Sequence, residues 1–403
     1  MEDLVSVVIP SYNHEKYIKE CVLSVLNQTY KNLEVFVMDD NSTDDSAKIL
    51  KRIKDSRLKV FCSKKNQGTV RTVNKLMNMC KGEYIAVIGS DDVWMEDKIE
   101  KQVNYLKSNK NIGAVFSDAE IIDENNNLYK DDDSFDHDVF NCDNVSSGER
   151  MRIFFEKGNH LCHSSSLIRS DVVKEIGLYN VVYRQLHDFD YWVRLINNFN
   201  IYILGEKLVK YRRFKNSKKN LSNNSCESMI RVVNENNEII RWMFDNINDD
   251  VFIDGFKDLF VNNNSHSFEE LFCEKYFILL NYTFMGVVNK QLAFSFLFRC
   301  TNQDRIFELL EKKFNYSLVD FYNDTGETYD VFNYNIVNDY KSSNGEAIHS
   351  RDDIIEKQTN IINMYNDKID NLEYNISVLK NSISWKITKP VRWIRGLIKN
   401  EKS

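Results

Sequence analysis

An α/β fold is what the first half of this 403-residue chain predicts, followed by a helical region and a heptad-repeat segment. Three observations predict it. Between Leu4 and Gly113, short β-branched runs alternate with amphipathic ones, the pattern of a parallel sheet covered by helices. From about Asn224 to Tyr322 the sequence turns aromatic-rich and more uniformly helical. From Ile355 to Ile383, isoleucine recurs every seven residues.

Taken in order, Leu4–Ile9, Leu33–Met38, Leu58–Cys62 and Tyr84–Ile88 read as strands, with Glu15–Gln28, Asp44–Lys54 and Thr69–Lys81 as the helices between them. Ser42 or Thr43 is expected to cap the second helix, and Gly82 follows the third. This half is Rossmann-like. The stretch from Ser117 to Phe214 mixes strand-like and helical pieces, with a polar, acid-rich loop around Asp131–Asp138 that reads as mobile. Residues 224–322 carry no chemical motif.

In the heptad segment, Ile355, Ile362, Ile369, Ile376 and Ile383 occupy one seam position, and Gln358, Tyr365, Leu372 and Leu379 the other. Isoleucine at a with leucine at d favours a two-stranded parallel coiled coil, although Gln358 and Tyr365 weaken its first half. A homodimer is expected; a single amphipathic helix packed on its own domain is the alternative. The segment from Trp385 to Lys399 sets Ile387, Val391, Ile394 and Ile398 on one face and Lys386, Lys389, Arg392 and Arg395 on another. Such a tail suits an anionic membrane surface, or an acidic partner. Pro390 divides it into two short pieces.

With 42% hydrophobic and 28% charged residues and only 2 prolines, the chain is expected to fold into a soluble protein. A net charge of -7 argues against nucleic acid as a partner. The 8 cysteines show no metal or redox spacing and read as reduced thiols. No secretion signal or membrane-spanning run is recognisable, so a cytoplasmic location is expected, with any membrane association peripheral.

The chemistry gathers where the strands end. The first strand runs into Pro10-Ser11-Tyr12-Asn13, the second into Asp39-Asp40-Asn41-Ser42 and the fourth into Gly89-Ser90-Asp91-Asp92. Open α/β sheets bind ligands at this carboxyl edge. No glycine-rich dinucleotide loop or P-loop lies there, which argues against NAD binding and P-loop ATP hydrolysis. Carboxylates at strand ends hold a base, a ribose or a hard divalent cation, though each pair alone is also a good turn or helix cap.

In series, these motifs resemble the family 2 glycosyltransferases of GT-A fold, whose core is a Rossmann-like mixed sheet. The series runs Val7-Val8-Ile9-Pro10-Ser11-Tyr12-Asn13, Met38-Asp39-Asp40-Asn41-Ser42-Thr43-Asp44, Asn66-Gln67-Gly68, Gly82-Glu83-Tyr84-Ile85, Ser90-Asp91-Asp92 and His187-Asp188-Phe189-Asp190-Tyr191-Trp192. The resemblance covers about the first half of the chain. It implies that Pro10, Ser11, Tyr12 and Asn13 line the nucleotide pocket with Asn66 and Ser90, that Asp40 bonds the base and Asp91 faces the ribose. It further implies that Asp92 binds Mg or Mn and that Asp188 is the general base, with Arg71 near the donor phosphates. As plain structure, Asp188 is a helix cap and Arg71 a solvated surface group.

The sequence departs from the family at several positions. His187 replaces a common Glu, Gly89 replaces a common acid, and Phe214 stands where a histidine often lies near the metal. His160 and His163, three apart beside Cys162, read as polar lining rather than as a zinc site, since the resemblance implies a segment near the donor sugar and acceptor, or equally as internally hydrogen-bonded structural residues. The resemblance implies an inverting, metal-dependent transferase using a nucleotide-sugar, UDP-linked by default, and a glycan or lipid-linked acceptor in surface polysaccharide assembly. The expected division is a catalytic domain over 1–215, a helical accessory region over 216–345, a coiled coil over 346–384 and a basic tail over 385–403. The rivals are a non-catalytic sugar-nucleotide-binding or scaffolding subunit and a nucleotidyltransferase, whose glycine-rich basic loop is missing.

Overall fold

The computed structural model describes residues 2–129, 138–214, 225–284, 287–288 and 290–326. The heptad segment, the basic tail and most of the acid-rich loop lie outside the described residues. Strands β1 (Val5–Ser11), β2 (Leu33–Asp39) and β4 (Tyr84–Val87) are buried along nearly their whole length. Cover on both faces explains why they read as unbroken apolar runs rather than alternating ones. With β3 (Leu58–Cys62) they form a parallel block in the order β3-β2-β1-β4.

Beyond β4 the sheet becomes mixed. β7 (Leu167–Arg169) runs antiparallel to β4, and β6 (Ile112–Ile122) antiparallel to β7. β8 (Asn200–Arg212) pairs parallel with β6, and β5 (Val93–Trp94) closes the edge antiparallel to β8. Helices cover both faces. On one side Val7, Ile9, Val35 and Val37 pack with Cys21, Val22 and Val25 of α1 (Ile18–Leu26), Leu50 of α2 (Ser46–Arg52) and Val103 of α4 (Lys98–Ser108). On the other, Val8, Phe36, Ile85 and Val87 pack with Val73 of α3 (Thr69–Met77), Phe154 of α5 (Ser147–Lys157), Val172 of α6 (Ser170–Ile176) and Trp192 of α7 (His187–Asn198). Neighbours along one strand thus serve opposite cores, as the two-residue period requires.

The second core continues into the helical region: α8 (Cys226–Asn246), α9 (Asp249–Phe256), α10 (Phe268–Leu280), α11 (Lys290–Phe298), α12 (Gln303–Phe314) and α13 (Leu318–Gly326). Phe155 is one junction, with its ring centroid 5.2 Å from Phe244, 5.7 Å from Phe256 and 4.7 Å from Tyr282. Another is the meeting of α5 and α9, where Gly148 and Gly255 bring backbone against backbone. A small hairpin, β9 (Thr283–Phe284) with β10 (Val287–Val288), interrupts a stretch the sequence suggests is helical. Among the described residues no helix is long and apolar enough to cross a membrane.

Two helix starts differ from the sequence expectation for the same reason. The loops after β1 and β2 use their polar groups on each other. The Glu15 amide donates to Asp44 Oδ2 and the Asp45 amide to Glu15 Oε2, both at 2.9 Å, so α1 starts at Ile18 rather than at Glu15. The Ser42 hydroxyl accepts from the Asn13 amide at 2.9 Å, so the expected Ser42 or Thr43 cap does not form and Asp45 stands at the head of α2.

Candidate active site

The order β3-β2-β1-β4 reverses direction between β1 and β4, and a crevice opens at the carboxyl ends of such strands. Ser11 at the end of β1 stands opposite Asp39 at the end of β2, with Asp40 next, and the Gly89–Asp92 turn follows β4. Both acid pairs therefore sit on one edge, as their spacing implies. Asn13 and Asn41 hold left-handed backbone at φ 56° and 64°, which asparagine tolerates better than most side chains. The Thr43 amide donates to Asn13 Oδ1 at 2.8 Å, locking the two loops together.

Asp40 is buried and fastens a third loop. Its carboxylate accepts from the Gln67 amide at 2.9 Å and the Gly68 amide at 2.8 Å, which draws the Asn66-Gln67-Gly68 turn to the strand ends. Asn66 is exposed and its Oδ1 accepts from the Gly68 amide at 3.1 Å. Arg71 is exposed in the first turn of α3 and forms no ion pair among the described residues. Tyr12 presents an exposed ring and Pro10 is half-buried. Ser11 Oγ and Asp39 Oδ1 are buried without a partner. Orphan polar atoms at facing strand ends mark places where a ligand or water completes the bonding.

Asp92 is held from two distant parts of the chain. Its Oδ1 accepts from the Arg212 amide at 2.8 Å and its Oδ2 from the Ser164 hydroxyl at 2.5 Å. Burial, and then the charge of Asp91, push its carboxyl well above the ordinary carboxylate range. Gly89 explains why this position lacks a side chain. A Cβ there would stand 2.9 Å from Asp92 Oδ2 and 3.0 Å from Asp91 Oδ1, so the two carboxylates converge above the glycine.

Asp91 and Asp92 thus offer carboxylate oxygens on one turn, the donor type a hard cation takes, with the charge of Arg212 offsetting part of the burial and repulsion at Asp92 and His14 Nε2 standing 3.9 Å from Asp91 Oδ2. Among the described residues no three His, Cys, Asp or Glu side chains are grouped so as to hold an ion. Phe214 is buried beside Tyr17 and His14, at ring centroids 5.4 Å and 6.4 Å, and adds packing rather than a ligand.

Three residues that sequence reasoning passed over belong here. His14 Nδ1 lies 2.7 Å from Ser90 Oγ, and its Nε2 lies 3.9 Å from Asp91 Oδ2. Its place directly after Ser11-Tyr12-Asn13 is the signal that points to it. Arg212 is buried, gives Nε to the Asp91 carbonyl at 2.7 Å and Nη1 to the Asp123 carbonyl at 2.8 Å, and stacks over Tyr17. Ser164 accepts from the Gly89 amide at 3.0 Å while donating to Asp92. Trp94 Nε1 holds the Ser164 carbonyl and Gln102 Nε2 the Ser165 carbonyl, each at 2.7 Å, so this turn is fixed from beneath.

Asp188 lies in the first turn of α7, where the helix dipole favours a carboxylate. Its Oδ1 accepts from the Phe189 amide at 2.8 Å and its Oδ2 from Asn159 Nδ2 at 3.0 Å. Burial raises its pKa, while the charge of His187 and the hydrogen bonds it accepts offset part of that rise. Beside it the rings of His163, Tyr179, His187, Tyr191 and Trp192 pack as a buried cluster. His163 Nε2 pairs with the Tyr179 hydroxyl at 2.8 Å, and burial, then His187, lower its pKa to about 3, so it is a neutral ring. His160 is likewise lowered to about 4 by burial and then by Arg150. Both bond within the fold, as internally hydrogen-bonded structural residues do. His187 Nδ1 and Trp192 Nε1 are buried without partners. A cavity of about 450 Å³ lined by Ser147, Asn197 and Asn248 lies at the other end of α7, roughly 15 Å from Asp188 by helix rise, and is separate from this site.

Comparison with known proteins identifies the family. Residues 6–177 match Glycosyl transferase family 2. An uncharacterized glycosyltransferase of Methanocaldococcus jannaschii is 34% identical over 215 residues, spanning 52% of this chain and 70% of the relative. One of Haemophilus influenzae is 31% identical over 242 residues, spanning 58% and 73%. The Escherichia coli UDP-Glc:alpha-D-GlcNAc-diphosphoundecaprenol beta-1,3-glucosyltransferase WfaP is 42% identical over 110 residues, 27% of this chain and 43% of that protein. The crystal structure of S. aureus TarS 1-349 with UDP-GlcNAc superimposes with TM-score 0.50 at 17% identity, covering 72% of this chain and 82% of that one, a likeness of fold. Motif series, mixed sheet and relatives agree: the chain belongs to glycosyl transferase family 2 and is a glycosyltransferase of GT-A fold.

Proposed function

We propose that the chain transfers a sugar from a UDP-linked donor to a hydroxyl of a lipid-linked glycan, with inversion at the anomeric carbon, during surface polysaccharide assembly. One observation carries the reading. A single segment bonds Asp188 through Asn159 and Asp92 through Ser164, so the acid that takes a proton and the acid that faces the diphosphate are held in fixed relation. The names of the E. coli relatives WfaP and WfgD, with UDP-Glc donors and GlcNAc-diphosphoundecaprenol acceptors, support the choice of substrate classes.

In this reading Pro10, Ser11, Tyr12 and Asn13 line the nucleotide pocket with Asn66, Arg71 and Ser90, Asp40 offers its remaining lone pairs to the base, and Asp91 faces the ribose. Mg or Mn, bound at Asp92 with the donor diphosphate, supplies positive charge that offsets the charge left on the departing nucleotide. Asp188 accepts the proton of the acceptor hydroxyl as that oxygen attacks the face opposite the diphosphate. No enzyme nucleophile is required. Residues 1–215 carry the chemistry in this proposal and 216–345 support it. The heptads of 346–384 pair two copies, and the basic tail of 385–403 meets an anionic membrane surface on its cytoplasmic side.

The test is nucleotide release and product formation from UDP-, GDP- and dTDP-sugars with Mg or Mn and a GlcNAc-diphospholipid acceptor, comparing the native chain with Asp188→Asn and Asp92→Ala. Metal-dependent transfer from one UDP-sugar, lost in both variants, is expected. Transfer by Asp188→Asn at the native rate removes the base from this account.

A further inference from the structure

Residues 184–186 lead straight into α7, and their three backbone amides converge on one acceptor. Glu235, buried on α8, takes the Arg184 amide on Oε1 and the Gln185 and Leu186 amides on Oε2, each at 2.8 Å. Arg184 and Gln185 precede the helix and Leu186 stands at its N-cap, so none of these amides has an intrahelical partner, and a full negative charge beside a helix N-terminus is favoured by the dipole. Side-chain caps usually come from the residue just before the helix. This one comes from 49 to 51 residues away, out of the helical region. Gln185 Nε2 also reaches Ser228 Oγ at 3.2 Å, a second tie to α8. Next to Glu235, Asn236 Nδ2 donates to the Tyr282 hydroxyl at 2.6 Å, so this part of α8 is anchored in turn to the chain after α10. The next residues after the capped amides are His187 and Asp188.

We infer that Glu235 is a positioning residue for Asp188, through which the helices after residue 225 set where the base stands. The inference rests on the reading of Asp188 as the base. It gives the helical region a part in the reaction rather than in stability alone. The same device occurs where no catalysis is proposed. Wholly buried Glu274 gathers the Val261 amide at 2.7 Å, the Asn262 amide at 2.9 Å and the Ser265 hydroxyl at 2.7 Å. Glu274 is therefore the control for losing a buried carboxylate staple.

The experiment compares full-length native chain, Glu235→Gln, Glu235→Asp, Glu274→Gln and Asp188→Asn, using UDP-glucose and UDP-N-acetylglucosamine with a GlcNAc-diphospholipid acceptor and Mn. Displacing a base by about 1 Å costs up to roughly a hundred-fold in rate. Glu235→Gln is expected to lower kcat per folded molecule by at least about ten-fold while the donor KM stays within about two-fold, with partial recovery in Glu235→Asp. Glu274→Gln is expected to lower Tm and leave kcat in place. Backbone amide exchange over 184–190 is expected to rise in Glu235→Gln and stay native in Glu274→Gln. Native kcat in Glu235→Gln alongside an inactive Asp188→Asn overturns this inference and leaves the base reading standing. Native kcat in Asp188→Asn overturns the base reading itself. Unchanged exchange over 184–190 in Glu235→Gln overturns the inference even where neither donor turns over.

Discussion

Asn159 donates its side-chain amide to Asp188 Oδ2 at 3.0 Å, and its own Oδ1 accepts from the Leu161 amide at 3.0 Å. The donor is thus pre-oriented by its own loop before it meets the carboxylate. Hydrogen bonds to the ionised form lower a carboxyl pKa, and this one works against the burial that raises it.

Asn159→Ala is therefore expected to move two quantities. A hydrogen bond to a charged group contributes about 1.5–3 kcal/mol, so kcat should fall at least about ten-fold. The pKa of Asp188 should rise further. In the proposed mechanism Asp188 works ionised and activity is lost as pH falls through its pKa, so the acidic limb of the kcat profile should shift to higher pH. A pH–rate series on native and variant enzyme checks this; an unshifted limb removes Asn159 from the base.

Asp92 carries a stability cost that its variant should release. Its folded pKa lies above the unfolded value, so the native state binds more protons and stability falls as pH rises through the folded pKa. Below the unfolded pKa the penalty is absent. Near neutral pH without metal, Asp92→Asn should raise Tm by a few degrees while abolishing metal-dependent transfer. Thermal melts at pH 5 and pH 8 provide the check, with the larger gain at the higher pH. An equal or lower Tm at both would mean that the hydrogen bonds from Ser164 and Arg212 outweigh the buried charge.

Gly89→Ala asks whether the closeness of the acids matters. The new Cβ meets Asp92 Oδ2 at 2.9 Å and Asp91 Oδ1 at 3.0 Å, and Asp92 cannot swing away while Ser164 and the Arg212 amide hold it. The expected result is a weakened Mn requirement curve, with half-saturation raised at least about ten-fold, and a Tm within a few degrees of native. Titrating Mn against nucleotide release measures it. Native half-saturation would place the cation elsewhere.

The parallel block was readable because strands buried on both faces leave long apolar runs, and the acids could be placed because each pair follows such a run within four residues. What stayed hidden was set by contacts across the chain. Ser164 reaches Asp92 over 72 residues, the Arg212 amide reaches it over 120, and Glu235 reaches Leu186 over 49. None of these has a local period or spacing. The starts of α1 and α2 were misread for the same reason, since Asn13 and Glu15 spend their bonds on a loop some thirty residues away. His14 carried a local sign, adjacency to Asn13, as Ser164 did beside His163 and Arg212 near Phe214, but the bonds to Ser90 and Asp92 were still needed to interpret them.

The junction between the α/β half and the helices makes the last prediction. A Cβ at Gly255 would stand 2.1 Å from the Gly148 carbonyl oxygen, and one at Gly148 would stand 2.5 Å from the Gly255 amide nitrogen. Both obstacles are backbone, which cannot rotate aside as a side chain can, so α5 and α9 must move apart to admit even one methyl group. Around them Phe155, Phe244 and Phe256 pack within 5.7 Å, and separating the helices opens that cluster as well. Overpacking usually costs about 1–3 kcal/mol, and a clash of backbone with backbone belongs at or above the upper end. Gly255→Ala should lower Tm by about 5 °C or more. If α8 sets the base through Glu235, loosening this face should also lower kcat in the molecules that remain folded. A Gly255→Ala protein that melts like native would mean the crossing is looser than its geometry; one that melts early with native kcat would confine the junction to stability.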